Sequence, residues 1–150
     1  MSTTTEATTI LCTNCGTRNR VPIAAAGKPR CGKCQSPLPW VVAIKEDAFA
    51  AAVEGADLPV LLDVWAEWCR PCRILTPALE KLAAEMAGTL KLVKLNADES
   101  PNTMNRFQIK AIPTLLVMVH GEERAHQAGA VPLPQLRSWL ASVLDEASTT

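Results

Sequence analysis

The stretch Pro59-Val60-Leu61-Leu62-Asp63-Val64-Trp65-Ala66-Glu67-Trp68-Cys69-Arg70-Pro71-Cys72 places three signals end to end. Pro59 to Ala66 is a near-continuous apolar run of strand length containing β-branched residues, the pattern of a central strand covered on both faces. A C-x-x-C pair follows at Cys69 and Cys72. From Pro71 to Met86 the residues Ile74, Leu75, Ala78, Leu79, Leu82 and Met86 recur at helical spacing, and Gly88 supplies a stop. The two sulfurs therefore sit where a strand hands over to a helix. A helix start offers free N–H groups and a partial positive charge, which stabilise a thiolate and lower the thiol pKa. The thiolate is the species that attacks a disulfide. Cys69, ahead of the helix, is expected to be the exposed nucleophile, and Cys72, in the first turn and facing inward, the resolving thiol. Pro77, inside the helix, removes a backbone donor and predicts a kink.

Working outward, "EDAFAAAV" at 46–53 reads as a short helix and Leu90 to Ala97 as a second strand. Ser100 and Pro101 form a cap and first-turn proline opening a helix to about Phe107. Thr114 to His120 is a third strand, Gly121 turns the chain, and "ERAHQA" is a fourth. A last amphipathic helix, Leu133 to Glu146, carries Leu136, Leu140, Val143 and Leu144 on one face. Two β-α-β crossovers followed by a hairpin predict an α/β fold, a small mixed sheet with helices on both faces.

All six cysteines fall in C-x-x-C pairs. Cys12/Cys15 and Cys31/Cys34 have the spacing of a four-thiolate zinc site, each pair placing two sulfurs on one edge of a tetrahedron. Gly16 and Gly32 are expected to give these turns their backbone freedom. Residues 10–40 have no long apolar run, so metal rather than burial is expected to fold them, as a closed, structural zinc ribbon. Iron is the less favoured metal for the same geometry. Cys69 and Cys72 have no further pair to complete a tetrahedron. Pro71 also lacks the N–H that a metal-binding turn donates to its first sulfur.

Residues 1–40 carry five basic side chains against Glu6, a net of +4, and the remainder is at −4. That asymmetry suggests two modules: a ribbon at 10–40 and an α/β domain at 41–146, with disordered ends at 1–9 and 147–150. The positive ribbon permits weak contact with nucleic acid, but nucleic acid is not the expected partner. The N-terminus lacks the basic and apolar regions of a secretory signal, and no apolar run approaches the ~20 residues of a membrane span. A cytoplasmic setting with reduced thiols, and no membrane, is expected.

"DVWAEWCRPCR" and "AIPT" at Ala111–Thr114 resemble the active-site segment and the cis-proline loop of the thioredoxin family. The resemblance spans about residues 44–146. With "NRVP" and the two leading cysteine pairs, the whole chain resembles the bacterial thioredoxins that carry an N-terminal zinc segment. It implies that the Cys69/Cys72 dithiol reduces protein disulfides, and that an NADPH-dependent thioredoxin reductase restores it. The chain has no nucleotide-binding signature, and no organic cofactor is expected. The resemblance further implies Asp63 as proton acceptor and donor for Cys72, with Lys94 approaching it. Pro113 would face the dithiol in the cis form, leaving the Ile112 backbone free to pair with an extended substrate. Trp65 is expected in the core, Trp68 on the substrate surface and Gly129 beside the groove. His120 and His126 read as surface residues. Arg70 departs from the glycine usual in the family, and a guanidinium beside Cys69 would raise the reduction potential. Two other readings stay open: a disulfide oxidase or isomerase on the same fold, and a zinc-ribbon binding or adaptor module.

Overall fold

The computed structural model describes residues 6–148. Two sheets are present among them. β1 (Ala7–Leu11) and β2 (Arg18–Pro22) form an antiparallel hairpin. β3 (Trp40–Ile44), β4 (Val60–Trp65), β5 (Lys91–Asn96), β6 (Thr114–Val119) and β7 (Glu122–Ala128) form a five-stranded sheet in the order β3-β5-β4-β6-β7. β4 lies at its centre, parallel to β5 and antiparallel to β6. Its burial pattern is that of a strand covered on both sides, as its apolar run requires.

One face is covered by α1 (Arg70–Glu85) and α3 (Leu133–Ser148). Leu61, Leu92, Leu115 and Val117 of the strands meet Leu75, Leu79, Leu82, Leu136 and Leu140 there. The other face is covered by a π-helical turn (Ala50–Glu54), by α2 (Pro101–Arg106) and by the N-terminal segment.

Several expectations are corrected. The larger sheet begins with a strand, β3, ahead of the helix expected at 46–53; a module boundary at residue 41 cuts that strand after its first residue. Its parallel pairing with β5 makes β3-to-β4 and β4-to-β5 the two parallel crossovers. The β5-to-β6 connection instead reverses direction, since β6 runs antiparallel to β4. The helix expected at 46–53 is a 3-10 turn (Glu46–Ala48) followed by the π-helical turn. α1 does run through Pro77, as the apolar spacing from Pro71 to Met86 requires. Ile74 is 66% exposed, because α1 turns Cys72, Leu75, Leu79 and Leu82 inward and leaves Ile74 outside that stripe. Ser100 sits at the N-cap of α2 and Pro101 opens the helix, but the Ser100 hydroxyl makes no capping bond; the Glu46 carboxylate accepts from the Thr103 N–H and from Asn102 instead. β1 takes up residues 7–9 of the end expected to be disordered, α3 continues past Glu146 to Ser148, and residues 1–5 and 149–150 lie outside the described residues.

The N-terminal segment does bury apolar surface. Ile10, Val21, Ile23 and Leu38 join one cluster with Trp40, Val42, Phe49, Ala52, Val53 and Val60. Its apolar residues are scattered singly and become a core only against the larger sheet, which is why no run announced them.

Candidate functional site

Cys69 is the N-cap of α1. Its sulfur accepts the Cys72 N–H at 3.2 Å. Cysteine thus takes the place of the usual oxygen-bearing cap, satisfying one of the free amides of the first turn. The two sulfurs form a disulfide with Cα atoms 5.3 Å apart. Pro71 occupies the second position of the helix, so the intervening amide is absent and, among the described residues, a single backbone donor reaches Cys69.

Cys69 is 3% exposed and Cys72 2%, so the expected exposure of Cys69 is not met in the disulfide. Ala66, Trp65 and Ile112 pack around the pair. Trp68 is 68% exposed, and its indole N–H donates to Asp98 Oδ2 at 2.8 Å. Arg73 holds the Glu67 carbonyl through Nε and Nη2, fixing the chain just before Trp68. Arg70 and Pro71 are exposed.

The Ile112–Pro113 peptide bond is cis. Pro113 is buried, and its carbonyl accepts the Gly129 N–H at 2.8 Å. Gly129 has φ +90°, a left-handed conformation that favours glycine, and nothing lies within 4 Å of where a Cβ would be. Its backbone angle, not crowding, accounts for the residue. Among the described residues the Ile112 backbone makes no turn or loop hydrogen bond. Trp68, Ala97, Asp98, Met104, Lys110, Ala111 and Ile112 line a groove of about 210 Å³ beside the disulfide.

Asp63 sits in β4, on the sheet face that α1 covers. It is 1% exposed, and among the described residues neither carboxylate oxygen has a hydrogen-bond partner. Burial pushes its pKa up to about 6, and the Lys94 charge partly opposes this. Lys94 is its register partner on β5. The Lys94 ammonium lies 5.6 Å from the Trp65 ring centroid, and Trp65 is half-buried. His120 and His126 are exposed, the latter 3.9 Å from Glu123.

The four remaining cysteines converge. Their sulfurs all lie within 4.8 Å of one another, with Cys12–Cys34 at 3.5 Å and Cys15–Cys31 at 3.6 Å. A tetrahedron with metal–sulfur bonds of ~2.3 Å has edges of roughly 3.8 Å, so these residues can hold a metal ion. The two turns repeat each other. Cys12 N–H bonds Thr17 O and Gly16 N–H bonds Cys12 O; Cys31 N–H bonds Ser36 O and Gln35 N–H bonds Cys31 O. The left-handed position is therefore Gly16 (φ 78°) in one turn and Gln35 (φ 66°) in the other. Gly32 does not fill it; its N–H donates to Asn19 Oδ1 at 2.9 Å. Lys33 N–H donates to Cys31 sulfur at 3.4 Å, the contact that Pro71 forbids at Cys69. Hydrogen bonds from Ser36 and Asn14 bring the Cys34 thiol down to about 5, and the Cys34 and Lys33 amides lower Cys31. Cys34 and Cys31 are thereby readied as thiolate ligands, whereas Cys12 is shifted up: the Cys15 amide lowers it, but burial and the neighbouring thiols carry it the other way.

Nothing in the sequence pattern singles out Asp98, Arg73, Asn14 or Ser36. Each is an ordinary polar residue whose role depends on a contact distant in the chain or on a turn geometry.

A disulfide at the head of a helix, with an exposed tryptophan just before it, Ile112 packed against it and a buried carboxylate in the strand that leads to it, defines a dithiol–disulfide oxidoreductase. The sequence profile described as thioredoxin matches residues 40–142. The chain is similar to a thioredoxin of Haemophilus influenzae, 42% identical over 100 residues, covering 67% of this chain and 94% of that protein. It is similar to thioredoxin C-3 of Corynebacterium nephridii, 35% identical over 140 residues, covering 91% of this chain and 96% of that protein. A chloroplastic thioredoxin M5 of Oryza sativa is 36% identical over 125 residues, covering 83% and 70% of the two chains. The chain belongs to the thioredoxin family. Among the described residues no helix is long and apolar enough to cross a membrane.

Proposed function

We propose that this oxidoreductase works as a protein-disulfide reductase in a reducing, cytoplasmic compartment. The observation that carries this reading is the single amide donated to the Cys69 sulfur in a nearly buried site. A strongly stabilised thiolate makes an oxidant. Few donors and low exposure leave the dithiol less stabilised and hence more reducing.

The Cys69 thiolate attacks one sulfur of a substrate disulfide. A Cys69–substrate disulfide forms, and the other substrate sulfur leaves as a thiolate and takes a proton. Asp63, as carboxylate, accepts the Cys72 proton. The Cys72 thiolate then attacks Cys69 Sγ and expels the second substrate sulfur, so two electrons leave the dithiol and the Cys69–Cys72 disulfide remains. Lys94 acts through Asp63 as a positioning residue. Trp68, Arg70, Pro71, Ile112, Pro113 and Gly129 shape the substrate surface, with the Ile112 backbone pairing with an extended substrate segment. A thioredoxin reductase drawing on NADPH regenerates the dithiol.

Cys12, Cys15, Cys31 and Cys34 hold one structural zinc ion, whose role when bound is to fix the two turns against each other. The ribbon spans about residues 10–40 and the redox domain 41–146. One feature favours a more oxidising reading: the exposed cation of Arg70 next to Cys69. Insulin reduction coupled to thioredoxin reductase tests the proposal. Wild type is expected to turn over, Cys69→Ser to be inactive and Cys72→Ser to accumulate the mixed disulfide. A wild type that oxidises reduced substrates but reduces none would overturn it.

A further inference from the structure

β5 opens with a lysine that the reaction does not use. Lys91 is fully buried, on the sheet face opposite Asp63 and Lys94. Its ammonium donates to the Ile23 carbonyl at 2.5 Å and to the Ala52 carbonyl at 2.7 Å. It also lies 4.3 Å from the centroid of the Trp40 ring. Among the described residues no carboxylate is paired with it, and burial alone pushes its pKa down to about 8.

Its partners come from three parts of the chain. Ile23 follows β2, between the two cysteine turns. Ala52 belongs to the π-helical turn, where Gly55 N–H bonds Ala50 O and Ala56 N–H bonds Val53 O as the turn closes. Trp40 opens β3 and is the register partner of Lys91. A buried ammonium is costly unless its hydrogen bonds are made. Apolar contacts between Ile10, Val21, Ile23, Leu38 and the sheet tolerate sliding, whereas one ammonium holding two carbonyls fixes how the segments sit.

We propose that Lys91 is the positioning residue that seats the metal-binding segment on the redox domain, making the order of the Ala50–Glu54 turn and of β5 depend on the metal. The proposal rests on the zinc reading above. Without metal the turns holding the Ile23 segment loosen, Lys91 loses one of its two acceptors, and the Ala52 carbonyl shares a donor that is no longer fixed. The coupling is reciprocal, so loss of the Lys91 contacts also weakens metal retention.

Hydrogen exchange read by mass spectrometry on the full zinc-loaded chain, with and without EDTA under anaerobic conditions, tests this. In wild type, chelation is expected to speed exchange of residues 50–54 and 91–95 by about tenfold or more, the scale of a lost charged hydrogen bond. In Lys91→Met those amides exchange fast with zinc still bound, chelation adds less than about threefold, and zinc passes faster to a chromogenic chelator. Two results overturn the proposal: wild-type protection at 50–54 that survives chelation while residues 7–39 lose theirs, or equal responses in both proteins. Where Lys91→Met does not fold, the wild-type arm still decides whether the order of residues 50–54 depends on the metal, and Lys91→Arg, which keeps the charge and donors, is expected to respond to chelation as wild type does. A response present in wild type and in Lys91→Arg supports the role, and metal-independent protection in wild type overturns it. Elemental analysis of the starting protein separates the readings. A chain that holds no zinc overturns the metal assignment, whereas a zinc-loaded chain with metal-independent protection overturns the seating role alone.

Discussion

Asp63→Asn is expected to change stability in a way that depends on pH, and the size follows from burial. The carboxyl is 1% exposed, has no hydrogen-bond partner among the described residues, and has its pKa raised from 3.8 to about 6. A raised acid pKa means that the folded state holds the proton more tightly than the unfolded chain. The group therefore costs nothing extra below pH 3.8, its cost grows as pH rises from 3.8 to about 6, and the full cost is present above 6. At ~1.36 kcal/mol per unit, the full cost is about 3 kcal/mol at pH 8 and about 1 kcal/mol at pH 4.5. Asparagine keeps the shape and has no charge to bury. Its amide carries its own penalty, but that penalty is the same at both pH values. The stability of the variant relative to wild type should thus rise by about 2 kcal/mol between pH 4.5 and pH 8. Urea unfolding of the oxidised proteins at the two pH values measures it. A difference that stays constant across this range, or one that falls, would refute the reasoning that Asp63 is a desolvated acid. The same variant should accumulate mixed disulfide during turnover, since its resolving step loses a proton acceptor, an effect on the order of 10²-fold or more.

Arg70→Gly should lower the reduction potential: an exposed charge worth ~0.2–1 kcal/mol converts to roughly 5–20 mV for two electrons, measured against glutathione. Cys31→Ser should abolish stable zinc binding by elemental analysis and expose residues 7–39 to exchange, because removing one buried thiolate opens a closed site. Lys91 has a folded pKa lowered from 10.5 to about 8, so the unfolded chain binds its proton more tightly and stability gains as pH rises through that window. Relative to Lys91→Met, wild type should become more stable between pH 8 and pH 10.5 in denaturant titrations.

The central strand, α1 and the redox pair were legible because period and spacing are local: an apolar run, a helical stripe and two cysteines three apart. The metal ligands were legible for the same reason. Asp63 stood out as a charge inside an apolar strand, though only the fold shows it without a partner. β3 is an apolar run like the others, but it begins at Trp40, where the cysteine-rich segment ends, so a division of the chain by composition cuts it. The π-helical turn, the Glu46 cap on α2 and the Lys91 contacts were not legible. Each depends on groups tens of residues apart that meet only once the sheet has formed. Ile74 shows the limit of period counting, since a wide apolar stripe does not say which edge the core takes.

The reductase reading is tested most directly by the equilibrium potential of the Cys69/Cys72 pair in the zinc-loaded protein, titrated against glutathione. A single donor to Cys69 in a nearly buried site predicts a value near that of thioredoxins, about −270 mV. A value of about −180 mV or higher, in the range of isomerases and oxidases, would contradict it.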